Sequence, residues 1–119
     1  MPLNPTLSLA SDVVRPEALS RQWAALHQAA GLVAGLAGTT AEAAPLLAGP
    51  CPESLRQASG WRLAMIGQGL ADTAAILEGG IRALLVARGR GAPTGAAAQA
   101  LWAEFVAARE ALLAIAVSA

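Results

Sequence analysis

Three stretches of this chain carry apolar residues at intervals of three and four, and prolines separate the stretches from one another. Such intervals place the apolar side chains along one side of an α-helix, whereas a half-buried strand alternates every second residue. Each stripe has to be buried, because burying one Leu or Ile side chain is worth roughly 1.5–3 kcal/mol. The pattern therefore predicts an all-α protein in which long helices pack stripe against stripe.

The first stripe lies on a helix that we expect to begin at Pro16 and Glu17. Proline suits a first helical turn, since its missing N–H would have no partner there, and the Glu carboxylate meets the positive end of the helix dipole. The stripe ends before Gly38 and comprises Leu19, Trp23, Leu26, Ala30, Val33 and Ala37. Residues 1–14 contain two prolines and no helical period, so we expect an extended N-terminal arm there.

The second helix is predicted to be the longest element. It begins after Pro52 and covers residues 53–88, which at ~1.5 Å per residue is on the order of 50 Å. Its stripe comprises Leu63, Ile66, Leu70, Ala74 (or Thr73), Leu77, Ile81 and Leu84. The glycines within it indicate close approach of a neighbour, because each costs about 1 kcal/mol of helix propensity relative to Ala.

A connector and a third helix complete the predicted fold. The connector, "TTAEAAPLLAGPCP", contains three prolines that prevent a continuous helix, with a short helical turn expected near Ala41–Ala44. The third helix begins after Thr94 and carries Ala98, Leu101, Phe105, Ala108, Leu112 and Ile115. We therefore predict one domain over residues 15–119, a bundle of three main helices. In this bundle the first helix and the long central helix form an antiparallel hairpin, and the C-terminal helix packs against that hairpin.

The composition favours helices and excludes several functions. Hydrophobic residues make up 55% of the chain, many of them alanine, and aromatic residues only 3%. The formal net charge of +0 attracts no polyanion, so nucleic-acid binding is not expected. No stretch reaches the ~18 apolar residues of a membrane span. The amino terminus lacks a basic start followed by an apolar run, so we expect a cytoplasmic protein or one exported without a cleavable signal peptide.

No group of residues predicts catalysis, a cofactor or a metal. The Gly67–Gly69 segment lacks the third glycine of a dinucleotide motif, where Asp72 stands, and it lies within a helical stripe rather than after a strand. His27 and Cys51, the only residues of their types, supply too few ligands for zinc. No helix amino terminus or basic cluster is assured to lower the pKa of the Cys51 thiol. We therefore expect no enzyme activity.

Five residues are predicted to lie at a protein interface, because tryptophan is a favoured interface anchor and apolar residues accompany it here. They are Trp61, Met65, Trp102, Val106 and Leu113. A weakly charged, neutral surface also keeps a monomer poorly soluble, which favours a homo-oligomer or a helical protein partner. The alternatives are a bundle that binds a small hydrophobic ligand and a non-catalytic accessory subunit of an enzyme complex.

The segment "VRPEAL" at Val14–Leu19 resembles the Val-x-Pro-Glu-x-Leu opening of secretion-associated proteins of the EspC type. Over residues 13–90 the layout of two helices and a loop is similar to that of small helical proteins of actinobacterial type VII (ESX) secretion. WXG members carry Trp-x-Gly between the two helices, whereas Trp61 is followed here by Arg62 and Leu63. Val106–Glu110 is the nearest analogue of the family's Tyr-x-x-x-Asp/Glu export signal. The resemblance implies a non-catalytic protein that pairs with another helical hairpin.

Overall fold

The computed structural model describes residues 16–117, and within them all regular secondary structure is α-helical. The predicted fold class, all-α, is confirmed. There are five helices in the described range: α1 Pro16–Ala37, α2 Thr40–Leu47, α3 Glu53–Arg56, α4 Gly60–Gly89 and α5 Gly95–Val117. The arm predicted for residues 1–14 lies outside the described residues.

The predicted second helix is divided in two. Glu53–Arg56 forms only the single turn α3, and the long helix α4 begins at Gly60. The break lies at Ser59, whose φ of −145° and ψ of 168° are extended, and at Gly60, whose φ of 61° lies in the left-handed region. Glycine adopts that conformation without a steric penalty, so it permits the sharp change of direction. The prediction of one helix over residues 53–88 is therefore wrong at its first turn.

Helices α1 and α5 run in opposite directions along each other. Near the middle of α1, the Nε atom of Arg109 lies 3.0 Å from Nε2 of His27. At the end of α1, the Nε2 atom of Gln99 donates to the carbonyl oxygen of Ala37 over 3.5 Å. Residue numbers therefore rise along α1 while they fall along α5.

Helices α4 and α5 are also antiparallel, and two glycines let them come close. A methyl group added to Gly69 would lie 2.5 Å from Cδ2 of Leu112, and one added to Gly80 would lie 2.5 Å from Cδ2 of Leu101. Both distances are shorter than van der Waals contact, so each leucine occupies the space that a larger residue on α4 would need. Since both α1 and α4 oppose α5, they are parallel to each other.

This direction corrects the predicted hairpin of the first two long helices. The connector does not turn the chain back into α4 but carries it back along α1 to the end where α1 began. Leu47 of α2 lies over Gly31, 3.9 Å from the position of an added methyl group, and Cys51 lines one cavity with Trp23, further toward the start of α1. The physical reason is that α2 and α3 bury their own apolar residues, Ala43 and Leu55. The antiparallel hairpin of this fold is α4 with α5.

The core consists of most of the predicted stripe residues together with Cys51, Leu55 and Ala58 from the segment between α2 and α4. The large side chains that are almost wholly buried are Leu19, Leu26, Val33, Leu55, Ile66, Leu70, Leu77 and Phe105. On α4 it is Thr73 rather than Ala74 that is buried, and the Thr73 hydroxyl donates to the carbonyl oxygen of Gly69 at 2.7 Å. That bond satisfies a polar group which would otherwise be costly to bury.

Candidate functional site

His27 lies on α1 and is buried, the only described residue of this helix that is both buried and titratable. Both nitrogens of its imidazole ring form hydrogen bonds. Its Nδ1 lies 2.8 Å from the carbonyl oxygen of Trp23, one turn earlier. Arg109 of α5 donates its Nε–H to Nε2 over 3.0 Å. Arginine is only a donor, so Nε2 must accept and the ring is neutral with its proton on Nδ1. The imidazole therefore joins α1 to α5 through one bond on each side.

Aromatic rings surround this histidine and continue across the same helix interface. The His27 ring centre lies 4.3 Å from that of Trp23 and 5.3 Å, edge to face, from that of Phe105. Trp102 lies 5.3 Å from Phe105. The Arg109 guanidinium lies 5.2 Å from the Trp23 ring centre, close enough for a cation–π contact. The cluster is thus packed on several sides by apolar and cationic groups.

The surroundings of His27 favour its neutral form. Burial lowers the pKa of the imidazole, and the positive charge of Arg109 lowers it further, while the bond to the Trp23 carbonyl acts in the opposite direction. The net effect places the pKa below the usual value of 6.5. Both ring nitrogens are thus occupied by bonds within the protein, one to α1 itself and one to α5.

Cys51 and His27 line the same small cavity, of about 230 Å³, between the connector and α1. The Cys51 Sγ is 3.8 Å from the carbonyl oxygen of Pro52. Burial raises the pKa of the Cys51 thiol, although interactions with Ser20 and Arg56 act against the rise. The thiol therefore stays protonated at neutral pH, and the neighbouring imidazole has no free nitrogen with which to activate it. Nothing in the sequence spacing of these two residues, 24 positions apart, indicates that they line one cavity.

Over residues 16–117, no three side chains of His, Cys, Asp or Glu come together in a group that could hold a metal ion. Within the same range no helix has both the length and the apolar character required to cross a bilayer.

One side of α4 exposes large apolar residues along its whole length. Trp61 is 56% exposed, Met65 49%, Ile76 50% and Val86 49%. At 3.6 residues per turn these four positions lie on one side of the helix, opposite the buried stripe. The exposed residues between them on this side are Ala64, Gln68, Asp72, Ala75, Gly79, Arg82 and Ala83. We call these eleven residues together the outer face of α4.

The five predicted interface residues lie on two separate surfaces. Trp61 and Met65 belong to the outer face of α4, and the guanidinium of Arg62 lies 4.9 Å from the Trp61 ring centre. Trp102, Val106 and Leu113 are half-buried on α5 and pack against the core. Met65 instead shares a groove of about 370 Å³ with residues on the other flank of α5, namely Ala108, Ala111, Leu112 and Ile115.

Sequence reasoning missed further exposed apolar residues. Leu32 of α1 is 62% exposed and Leu85 of α4 56%. Both line a groove of about 300 Å³ between α1 and α4, together with Gly31, Gly35, Leu36 and Ile81. Ile76 and Val86 were missed as well, although their spacing from Trp61 and Met65 continues one side of a helix. A search for a second stripe on α4, beside the buried one, would have found them.

Comparison with known proteins adds no family to these observations. Family models, curated proteins and solved structures give no match to this chain.

Proposed function

We propose that this is a non-catalytic helical protein that acts by association with another protein through the outer face of α4. The observation that carries the proposal is the line of exposed Trp61, Met65, Ile76 and Val86. From Trp61 to Val86 the line extends over about 38 Å at ~1.5 Å per residue. Single exposed apolar residues are ordinary, but four large ones on the same side of one helix favour a partner.

The geometry of the outer face suits a helical partner. Its large residues alternate with small ones, of which Ala75, Gly79 and Ala83 leave room for side chains from an opposing helix. Trp61 supplies the kind of large, rigid side chain that most often dominates the energy of an interface. Association of this kind also covers the accessory-subunit role, in which the partner would be an enzyme.

The non-catalytic part of the proposal is supported by the state of Cys51 and His27. The one thiol of the chain has a raised pKa, and both nitrogens of the one histidine are already bonded. A place in type VII secretion is supported by the sequence resemblance alone, and two residues of its motif, Val14 and Arg15, lie outside the described residues.

Photo-crosslinking in the cells that make the protein tests the proposal. A benzoyl-phenylalanine at Ile76 lies on the outer face, and the same residue at Glu42 lies on an exposed part of α2 away from it. We expect irradiation to join the Ile76 variant to a protein that mass spectrometry identifies, and to leave the Glu42 control unjoined. Absence of any adduct from Ile76 would overturn the proposal.

A second candidate, binding of a small hydrophobic molecule, has one observation in its favour. A groove of about 430 Å³ lies where α4 ends and α5 begins. Its lining is mostly apolar, with Thr94 and Glu104 as the polar members, and the other lining residues are Gly80, Ala83, Leu84, Ala87, Pro93, Ala97, Ala100 and Leu101. The volume lies in the range of ligand sites, but the groove is open along one side, whereas such sites bury roughly 70–90% of their ligand. Titration with a dansyl-labelled alkyl probe, followed by its fluorescence, tests this candidate. Binding of the probe by the natural chain that is lost in the Ala97→Leu variant would support it, and no binding by the natural chain would exclude it.

A further inference from the structure

Two charged residues interrupt the outer face of α4, Asp72 and Arg82, and both are exposed. Leu77 stands midway between them in the sequence. Asp72 accepts a hydrogen bond from Nε2 of Gln68 at 2.8 Å, whereas Arg82 makes no hydrogen bond or ion pair with any described residue. One acid and one base thus lie at equal distances on either side of a midpoint, along an otherwise uncharged face.

This arrangement is complementary to a second copy of itself in the opposite direction. When two copies of α4 pair about a twofold axis level with residue 77, Asp72 of each copy lies beside Arg82 of the other. Ala75 of each copy then lies beside Gly79 of the other, so the smallest residues meet at the centre and the helices can approach closely. The dipoles of the two helices also oppose each other, which is favourable.

The other simple pairing is disfavoured by the same charges. In a parallel pairing each Asp72 would lie beside its own copy, as would each Arg82, and like charges in contact are repulsive. The antiparallel register does bring Glu78, on the flank of the face, near its own copy. Glu78 is exposed, so water and salt screen the repulsion between the two copies of this carboxylate.

The two copies of α4 overlap over most of their length in this register. Residues 65–89 of each copy lie level with residues 89–65 of the other, whereas residues 60–64, Trp61 among them, extend past Gly89, the last residue of the partner's helix. The pairing therefore covers Met65, Ile76 and Val86 of each copy and leaves Trp61 at its edge.

We propose that the partner of the outer face is a second copy of this chain, bound antiparallel with residue 77 of both copies at the twofold axis. The inference rests on the proposed function, because it names the partner of the same surface. It specifies the register as well as the oligomeric state, so it makes predictions for individual pairs of positions.

Charge reversal tests the pairing of Asp72 with Arg82. Sedimentation of the full chain from low to high micromolar concentration should show a monomer–dimer equilibrium. Asp72→Arg and Arg82→Asp should each raise the dissociation constant about tenfold, because two attractive pairs become repulsive. The double variant, Asp72→Arg with Arg82→Asp, should return to within about threefold of the natural chain, since both pairs are restored with their signs exchanged. A double variant as weak as either single variant would overturn the register.

Disulfide formation between two different variants tests the direction. Gln68 lies level with Val86 of the other copy in the proposed register, whereas the same position in two copies is separated by about 27 Å along the axis. Chains carrying Gln68→Cys and Val86→Cys, each with Cys51→Ala, should form a disulfide when mixed and oxidised. Neither variant should form one alone. A disulfide between two Gln68→Cys chains would show a parallel pairing and overturn the inference.

The two proposals fail separately. A chain that stays monomeric in sedimentation, yet is joined at Ile76 to a different protein in cells, would overturn the self-pairing and leave the association function standing. A chain that stays monomeric and gives no adduct at Ile76 would overturn both.

Discussion

Arg109 of α5 donates its Nε–H to Nε2 of His27 on α1, 82 residues earlier in the chain, over 3.0 Å. The bond determines which imidazole nitrogen carries the proton, because the arginine can only donate. It also connects the first and last helices of the described chain at a point where both face the aromatic rings of Trp23 and Phe105. The only histidine of the chain is therefore a structural link between two helices, with a defined protonation state.

Removing the donor should destabilise the fold. Arg109→Met keeps most of the side-chain stem but leaves Nε2 of the buried imidazole without a partner, which should lower the free energy of unfolding by about 1–2 kcal/mol. Urea denaturation measures the change. Arg82→Met, measured on chains dilute enough to be monomeric, is the matched control, because Arg82 makes no bond to a described residue of its own chain, and it should stay within about 0.5 kcal/mol of the natural chain. Equal losses in the two variants would contradict the role given to Arg109.

Acid should weaken the fold through the same histidine. The pKa of His27 in the folded chain is lowered from 6.5, chiefly by burial, so the unfolded chain binds a proton more readily. The neutral imidazole therefore stabilises the fold fully above pH 6.5, and this contribution is lost as the pH falls toward the lowered pKa of the folded state.

Urea midpoints measured between about pH 7 and pH 5 should fall for the natural chain, in a window where ordinary carboxylates do not titrate strongly. His27→Gln should flatten the slope, since the chain has only 1 histidine. A slope that persists in the His27→Gln variant would assign the acid sensitivity to other groups.

Adjacent glycines of α4 should respond in opposite ways to alanine. Gly80→Ala places a methyl group 2.5 Å from Cδ2 of Leu101 and should cost about 1–3 kcal/mol in overpacking, only part of which better helix propensity offsets. Gly79→Ala meets nothing within 4 Å and should stabilise the helix by up to about 1 kcal/mol. Thermal unfolding of dilute chains, kept monomeric, separates the two. A stabilising Gly80→Ala would show that Leu101 moves aside easily.

Substitutions at two neighbouring residues of α4 should affect folding and association separately. Leu77 is fully buried, so Leu77→Ala should lower the free energy of unfolding by about 2–5 kcal/mol. Ile76 is half-exposed on the outer face, so Ile76→Glu should change that free energy by less than about 0.5 kcal/mol while it prevents association. Unfolding curves and sedimentation of the same samples give both quantities. An Ile76→Glu chain that associates as well as the natural one would remove the outer face from the interface.

The sequence by itself determined the fold class and which side of each long helix is buried. The stripes of α1 and α5 supply Trp23, Leu26, Leu101 and Phe105 to the core as predicted, because intervals of three and four residues specify one side of a helix whatever packs against it. Trp61 and Met65, predicted at an interface because tryptophan is a favoured anchor, are exposed in the structure.

Only the tertiary structure decided the direction of the helices and the pairs that meet between them. Periodicity is a local property and carries no information about whether α4 runs with or against α1. That choice depends on the connector, whose residues Ala43 and Leu55 are buried and so return the chain along α1. The same non-local packing brings Arg109 to His27 and places Cys51 in a cavity beside it. Burial of apolar surface between distant segments determines these contacts, and no spacing within one segment encodes them.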